Sequence, residues 1–142
     1  MARSNTDDAI AIREYFYSFW PDNIRVVEDN ADPVEEDDEA GRPVGVWCRL
    51  TIRPGASRAK TIGPRDLKRY EQLGRIYLQV FTPKGDGMRA GQEVADMFAN
   101  NMRDWRTEDG ALYVEWPEYT TLPDDDTESV MITVSLLYRS EH

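Results

Sequence analysis

A glycine-rich turn is the first feature of this sequence that suggests a chemistry. Residues 85–90, Gly-Asp-Gly-Met-Arg-Ala, fit the G-x-G-x-x-G/A pattern that holds a pyrophosphate at a helix N-terminus. That pattern normally opens a parallel βαβ unit, whereas here the strand before it is about the third. The alternative is a plain strand-to-helix turn in which Asp86 caps the helix. No G-K-[ST] follows the glycines, so no Walker-type phosphate site is predicted, and we expect no cofactor.

Residues for nucleophilic catalysis are scarce. The chain has one cysteine, Cys48, and one histidine, His142. Cys48 lies in an apolar segment and lacks partners for a disulfide or a zinc site, which indicates a small core residue. His142 is the last residue, where we expect a frayed end, so a Ser-His or Cys-His pair is not expected. The sequence therefore predicts a protein that is not an enzyme.

Residues 28–39 form an acidic segment with eight carboxylates in twelve positions. Such a cluster raises the question of calcium, but the D-x-[DN]-x-[DN]-G spacing is absent, so no metal site is predicted. A segment of this composition cannot bury itself and should be a solvated loop. Its negative potential would also repel DNA phosphates.

Two helices are predicted from apolar periodicity. The first spans residues 6–20, with Thr6 as the cap and Pro21 as the stop. Tyr15 and Tyr17 widen its aromatic surface, either toward another subunit or half-buried at the domain surface. The second begins at about residue 88, and its apolar positions recur at spacings of three and four. They are Gly91, Val94, Ala95, Phe98, Met102 and Trp105.

Five strands are predicted at residues 24–27, 44–53, 75–82, 111–116 and 129–139. Pro54 and Pro117 are expected to end the second and fourth of them, and residues 117–128 to form an acidic loop. In the last strand, alternate residues from Val130 to Tyr138 form an inward face. The element order α-β-β-β-α-β-β predicts an α+β fold, a mostly antiparallel sheet with helices packed on one side. Residues 1–142 are expected to form a single domain.

Charge is unevenly distributed along the chain. Seventeen basic and 27 acidic residues give a net charge of −10, which argues against general nucleic-acid binding. Residues 53–75 nevertheless carry seven basic residues and two acidic ones, a local charge of +5, so the remaining chain carries −15. We interpret this segment as a hairpin arm, either solvated or in contact with an acidic neighbour. No apolar run is long enough for a membrane span, and no signal peptide is evident, so we expect the protein to act in a reducing cytoplasm or in a particle assembled there.

Two stretches resemble a known family. Residues 74–87, Gly-Arg-Ile-Tyr-Leu-Gln-Val-Phe-Thr-Pro-Lys-Gly-Asp-Gly, precede a helix containing Ala95-Asp96 and Phe98. Residues 47–58, Trp-Cys-Arg-Leu-Thr-Ile-Arg-Pro-Gly-Ala-Ser-Arg, read as a long strand that ends in a polar Gly-Ser segment. Both, and the element order over most of the chain, resemble the tail-terminator (tail-completion) proteins of long-tailed bacteriophages.

The resemblance implies a structural virion protein without catalytic chemistry. It implies a homo-oligomeric ring, usually a hexamer, that caps the tail tube at its head-proximal end, stops tube polymerisation and provides the surface for head–tail joining. Implied partners are the tail tube protein and head–tail connector proteins, while DNA passes through the lumen without specific binding. The candidate subunit or tube contacts are Trp47, Arg49, Arg53, Arg58, Lys60, Arg65, Lys68 and Arg69. A head–tail connector or neck protein, and a small nucleotide-binding enzyme using the Gly85-Gly87 turn, remain the alternatives.

Overall fold

The computed structural model describes residues 3–28, 45–59, 70–83, 89–123 and 129–142. Several predicted features lie outside these ranges: most of the acidic segment, the Gly85-Gly87 turn with Asp86, residues 60–69 of the basic arm, and residues 124–128. Within the described ranges, two helices and five strands follow one another in the predicted order α-β-β-β-α-β-β.

The first helix, α1, spans Asn5–Phe19 and begins earlier than predicted. Ser4, not Thr6, is its cap: the Ser4 hydroxyl accepts from the Asp7 N–H at 3.2 Å, and Asp7 accepts from the Ser4 N–H at 3.0 Å. This reciprocal pair satisfies two N–H groups that would otherwise lack partners, which explains why the helix starts here. The helix ends before Pro21, as predicted.

A five-stranded sheet forms the second layer, in the order β1-β2-β3-β5-β4. The strands are β1 (Arg25–Glu28), β2 (Trp47–Ala59), β3 (Tyr70–Pro83), β4 (Leu112–Pro123) and β5 (Ser129–Glu141). Only the β1–β2 pair is parallel, and the other three pairs are antiparallel. The mostly antiparallel α+β prediction is therefore confirmed.

Both helices pack on one face of the sheet. The second helix, α2, spans Arg89–Met102 and buries the predicted stripe from Gly91 to Met102, while Trp105 lies beyond its end. Phe98 of α2 meets Phe16 of α1 edge to face at 5.9 Å between ring centroids. The sheet contributes alternate residues to this core, as period-2 patterning requires. They include Cys48, Leu50, Ile76, Leu78, Val80, Ile132, Val134, Leu136 and Tyr138.

The prediction that Pro54 ends β2 is wrong. The strand continues to Ala59, with an irregular register between Pro54 and Ser57. The Gln72 side-chain amide donates to the Gly55 carbonyl at 2.8 Å and to the Leu73 carbonyl at 2.7 Å. We attribute the continuation to this side chain, because it satisfies a carbonyl where the ladder is interrupted.

The prediction that Pro117 ends β4 is also wrong. β4 runs to Pro123 at the edge of the sheet, and its register shifts between Val114 and Pro117. Proline is tolerated there because an edge strand has one side without ladder bonds and a bulge leaves one residue unpaired.

Gly74 is required because Tyr138 occupies the space beside it. A Cβ on Gly74 would lie 2.3 Å from the Tyr138 ring, and that ring is buried. We expect Gly74→Ala to lower the free energy of unfolding by about 1–3 kcal/mol, the usual effect of overpacking. Urea denaturation checks this, with Gly55→Ala as the control for a milder contact, because a Cβ there would lie 3.3 Å from the Leu73 carbonyl oxygen, close to it but without overlap. Equal losses in the two variants would contradict the prediction.

Candidate interaction surface

The sheet has a second face that the helices do not cover, and we call it the open sheet face. It consists of the strand residues that alternate with the buried ones and comes from three adjacent strands. Its members are Trp47, Arg49, Thr51 and Arg53 of β2, Arg75, Tyr77, Gln79 and Phe81 of β3, and Met131, Thr133, Ser135, Leu137 and Arg139 of β5. Most are partly exposed, so this face is available for contacts.

An aromatic pair lies at one end of the open sheet face. Trp47 and Phe81 are direct cross-strand partners, and their rings stack at 4.2 Å with an interplanar angle of 12°. The Arg49 guanidinium lies 5.9 Å from the centre of the Trp47 ring. A cation over an indole face is held by the ring quadrupole, so these side chains form one ordered unit.

A basic groove continues from this aromatic pair. It has a volume of about 340 Å³ and is lined by Arg49, Thr51, Arg53, Tyr77, Gln79 and Thr133. Among the described residues, the lining includes two guanidiniums and no carboxylate. Arg53 also lies directly opposite Arg75 in the β2–β3 register. Like charges at directly opposed positions are unfavourable, so an anionic group beside Arg75 would offset this repulsion.

A second groove, of about 390 Å³, lies toward β4 and has mixed charge. Arg75 and Arg139 line it together with Glu115 and Glu118, and Arg139 forms an ion pair with Glu115. At its border Trp116 is 60% exposed, with the Arg103 guanidinium 4.9 Å from its ring. Because carboxylates already neutralise part of this groove, we regard the basic groove as the stronger anion site.

The structure brings together part of the predicted contact set. Trp47, Arg49 and Arg53 share the open sheet face. Arg58 lies farther along the β2–β3 hairpin, where its guanidinium pairs with Glu71 at 2.9 Å. The remaining candidates, Lys60, Arg65, Lys68 and Arg69, lie outside the described residues.

Sequence reasoning missed Arg139 as a member of this surface. It also counted Arg75 only as part of the basic segment. Both join the open sheet face through strand pairing, Arg75 opposite Arg53 and Arg139 on the next strand. The alternation within each strand was readable, but the order of strands that makes them neighbours was not.

A buried carboxylate ties the two ends of the described chain together. Asp8 of α1 is fully buried, and its Oδ1 accepts from Arg3 Nε at 2.9 Å and Ser140 Oγ at 2.7 Å. His142 Nε2 lies 2.7 Å from Asp8 Oδ2, and the His142 N–H donates to the Tyr70 carbonyl at 2.8 Å. The expectation of a frayed C-terminus is therefore wrong, because both the ring and the backbone of His142 are held.

This Asp8 cluster does not have the geometry of a catalytic triad. In a triad the imidazole lies between the serine and the carboxylate, so that it can remove the hydroxyl proton. Here the carboxylate lies between Ser140 and His142. Burial, with a further contribution from the negative charge of Asp8, raises the pKa of Tyr138 to about 12. The arrangement is suited to holding α1 against the end of β5.

The two tyrosines of α1 lie in different environments, one packed and the other exposed. Tyr15 stacks on Trp105 at 4.4 Å between ring centroids, and its hydroxyl donates to the Asn101 carbonyl at 2.5 Å. Tyr17 is 48% exposed. Tyr15 therefore belongs to the packing of α1 on the end of α2, and Tyr17 alone remains available to another molecule.

Cys48 is a core residue, as predicted. Burial raises the pKa of its thiol from the ordinary value of 9.0 to about 12. The thiolate is the reactive form, so at pH 8 its population should be about 1000-fold lower than for an ordinary thiol. We expect the folded protein to resist a disulfide reagent such as DTNB at pH 8, and the urea-unfolded protein to react with one equivalent. Fast labelling of the folded protein would contradict this placement.

The described residues contain neither a metal-binding cluster nor a helix that could span a membrane. Within residues 3–28, 45–59, 70–83, 89–123 and 129–142, no group of three or more His, Cys, Asp or Glu side chains is arranged to hold a metal ion. In the same part of the chain, neither helix has the length and apolarity needed to cross a membrane.

The fold defines a two-layer α+β protein whose sheet has one face that the helices do not cover. Several solved structures match this chain, and one of them shares its fold with a TM-score of 0.62 at 20% identity, covering 94% of this chain and 96% of the other. No curated protein matches the sequence significantly. Residues 11–138 match the family described as phage tail terminator protein. The chain belongs to this family and is a structural protein of the phage tail.

Proposed function

We propose that this protein forms a homohexameric ring that caps the finished tail tube and ends its polymerisation. The family match over residues 11–138 is the observation that carries the proposal. The open sheet face supports it, because a layer of tryptophan, tyrosine and arginine side chains has the composition of protein–protein contact sites.

The ring would have three kinds of contact. Each subunit would bind its neighbours head to tail, so that the repeated contact closes on itself. One ring surface would bind the last ring of tail tube protein, and the other would accept the head–tail connector proteins. The protein would then lie at the head-proximal end of the tail in the virion, after assembly in the host cytoplasm.

The charge of the chain is compatible with DNA passing through such a ring. A net charge of −10 disfavours binding to phosphates, so DNA would slide through the lumen without specific contacts. The basic arm would contact an acidic neighbour through Lys60, Arg65, Lys68 and Arg69. Arg58 would join this contact in addition to its pair with Glu71.

Tail length is the measurement that tests this function. A phage lacking the gene for this protein, propagated without complementation, should produce tubes of abnormal length that carry no heads. A plasmid copy of the wild-type chain should restore uniform tails and joined heads. Uniform tails without heads would favour the connector or neck alternative, since termination would then not depend on this protein.

The nucleotide-binding alternative has a separate test. Addition of NAD, ATP or GTP at millimolar concentration should leave the thermal midpoint of the purified protein unchanged, because no ligand would bind the folded state. A saturable rise in the midpoint that is lost in Gly85→Val would instead support a phosphate site at the Gly85-Gly87 turn.

A further inference from the structure

We propose that the open sheet face of one copy binds the helix layer of the next copy. The helix layer consists of α1 and α2 together with the residues that follow each of them, 20–24 and 103–110. This inference rests on the proposed ring and names the two surfaces that would meet in it. It requires one surface to be basic with apolar anchors and the other to be acidic, and the described residues provide both.

The helix layer is predominantly acidic on its outside. Its exposed carboxylates are Asp7, Glu14, Asp22, Glu93, Asp104, Glu108 and Asp109. Its exposed arginines are Arg89, Arg103 and Arg106, and each already has a partner: Arg89 pairs with Glu93, Arg103 stacks on Trp116, and Arg106 stacks on Tyr113. Among the described residues, Glu14, Asp22 and Glu108 form no hydrogen bond or ion pair within the chain. These three are therefore available to a neighbour.

The open sheet face offers the complement. Arg49 and Arg75 lie on this face, and the described residues that line its basic groove include no carboxylate. The stacked Trp47 and Phe81 supply an ordered apolar anchor beside it. Guanidiniums next to aromatic rings are the residue types that contribute most to binding at protein interfaces, and opposite potentials favour the correct docking register.

The partner fits a protein surface better than a nucleic acid. Phosphate binding depends on neutralising many backbone charges, which a chain of net charge −10 does poorly. The faces of Trp47 and Phe81 already stack on each other, so they offer no free platform between which bases could insert.

The contact is heterologous, not sheet to sheet. Two open sheet faces brought together would place the Arg49, Arg53 and Arg75 groups of both copies in one interface, and juxtaposed like charges disfavour such a pair. When the sheet face of one copy binds the helix layer of the next, the assembly still has one free sheet face and one free helix layer. Such a contact propagates until the rotation closes a ring.

Two charge-reversed variants test this geometry. The sheet variant carries Arg49→Glu and Arg75→Glu, and the helix variant carries Glu14→Lys, Asp22→Lys and Glu108→Lys. All five positions are at least partly exposed, so both variants should keep the wild-type circular dichroism spectrum. By native mass spectrometry and sedimentation velocity, the wild-type chain should form closed oligomers, and each variant alone should associate roughly 100-fold more weakly.

Mixing the variants separates this contact from other arrangements. The sheet variant retains a native helix layer, the helix variant retains a native sheet face, and the two reversed surfaces are again opposite in charge, so an equimolar mixture should regain association toward the wild-type level. If either variant alone formed closed rings as readily as the wild-type chain, the surface assignment would be overturned, while the ring proposal would remain intact. A wild-type chain that stays monomeric at high concentration would overturn the self-contact. Binding of a 30-base-pair DNA duplex that is lost in the sheet variant would replace it with a phosphate site.

Discussion

Replacing Phe98 with alanine will lower the free energy of unfolding by about 3–5 kcal/mol. The Phe98 side chain is fully buried, and its ring packs edge to face on Phe16, so it joins α2 both to α1 and to the sheet. Its truncation loses the favourable free energy of moving the ring from water into the core. It also leaves a cavity between two layers that other contacts hold in place. Urea denaturation followed by far-ultraviolet circular dichroism measures the loss.

Ile10→Ala provides the matched control for Phe98→Ala. Ile10 is also a large apolar residue on a helix, but it is 48% exposed. Because about half of its surface stays in water, and alanine favours a helix more than isoleucine does, we expect a loss below about 1 kcal/mol. A Phe98→Ala loss below about 1 kcal/mol, or one equal to that of Ile10→Ala, would show that the inward face of α2 is assigned incorrectly.

The parts of the fold set by local periodicity were predictable. Ile76, Leu78 and Val80 face the core, while Tyr77, Gln79 and Phe81 face away, as alternation in β3 indicates. The buried stripe of α2 also followed from its spacing of three and four. In both cases each residue's environment depends mainly on its position within its own element, so neighbouring positions in the sequence were enough.

Strand ends were less predictable because they depend on residues far away in the sequence. Pro54 and Pro117 looked like stops, since proline removes a ladder donor. Beyond Pro54, Gln72 from the partner strand satisfies the Gly55 carbonyl, and Pro117 lies on an edge strand. Neither the side chain that crosses from β3 nor the position of β4 in the sheet is encoded in the residues around the prolines.

The candidate surface was predictable within one strand and not across strands. The alternation of β2 placed Trp47, Arg49 and Arg53 on one face, which the structure bears out in their positions. Arg139 joins that face only because β5 pairs with β3, a pairing between residues about sixty positions apart. The Asp8 cluster did leave a trace in the sequence. Asp8, Ile12 and Phe16 are spaced four residues apart, so Asp8 lies on the same helical stripe as two core residues, although an aspartate is rarely buried without a partner.

Replacing Asp8 with alanine will cost about 3–5 kcal/mol of stability, comparable to Phe98→Ala, because it breaks a buried ionic cluster. Arg3 and Ser140 would both lose the carboxylate oxygen that accepts their hydrogen bonds, and His142 would lose its partner at 2.7 Å. The Arg3 side chain is only 20% exposed, so water cannot fully replace the lost acceptor. Thermal and urea unfolding of the variant measure the effect.

Asp7→Ala is the control for Asp8→Ala, because it removes the neighbouring carboxylate of the same helical turn. Asp7 is exposed and serves the capping box with Ser4, and the hydrogen bond from the Ser4 backbone holds its pKa below the usual range. Its loss should therefore be distinctly smaller than that of Asp8. Equal losses would contradict a special role for the buried cluster.

A double-mutant cycle identifies what Asp8 stabilises. If Asp8 anchors the end of β5, Asp8→Asn and His142→Gln should show a coupling of about 0.5–3 kcal/mol, because each removes one side of the same contact. Hydrogen exchange should then speed up at the His142 N–H, which bonds the Tyr70 carbonyl, before it does so at the centre of β5. Additive losses with unchanged exchange at His142 would mean that Asp8 stabilises α1 through Arg3 and Ser140, and that the His142 backbone is held by the Tyr70 contact without help from its ring.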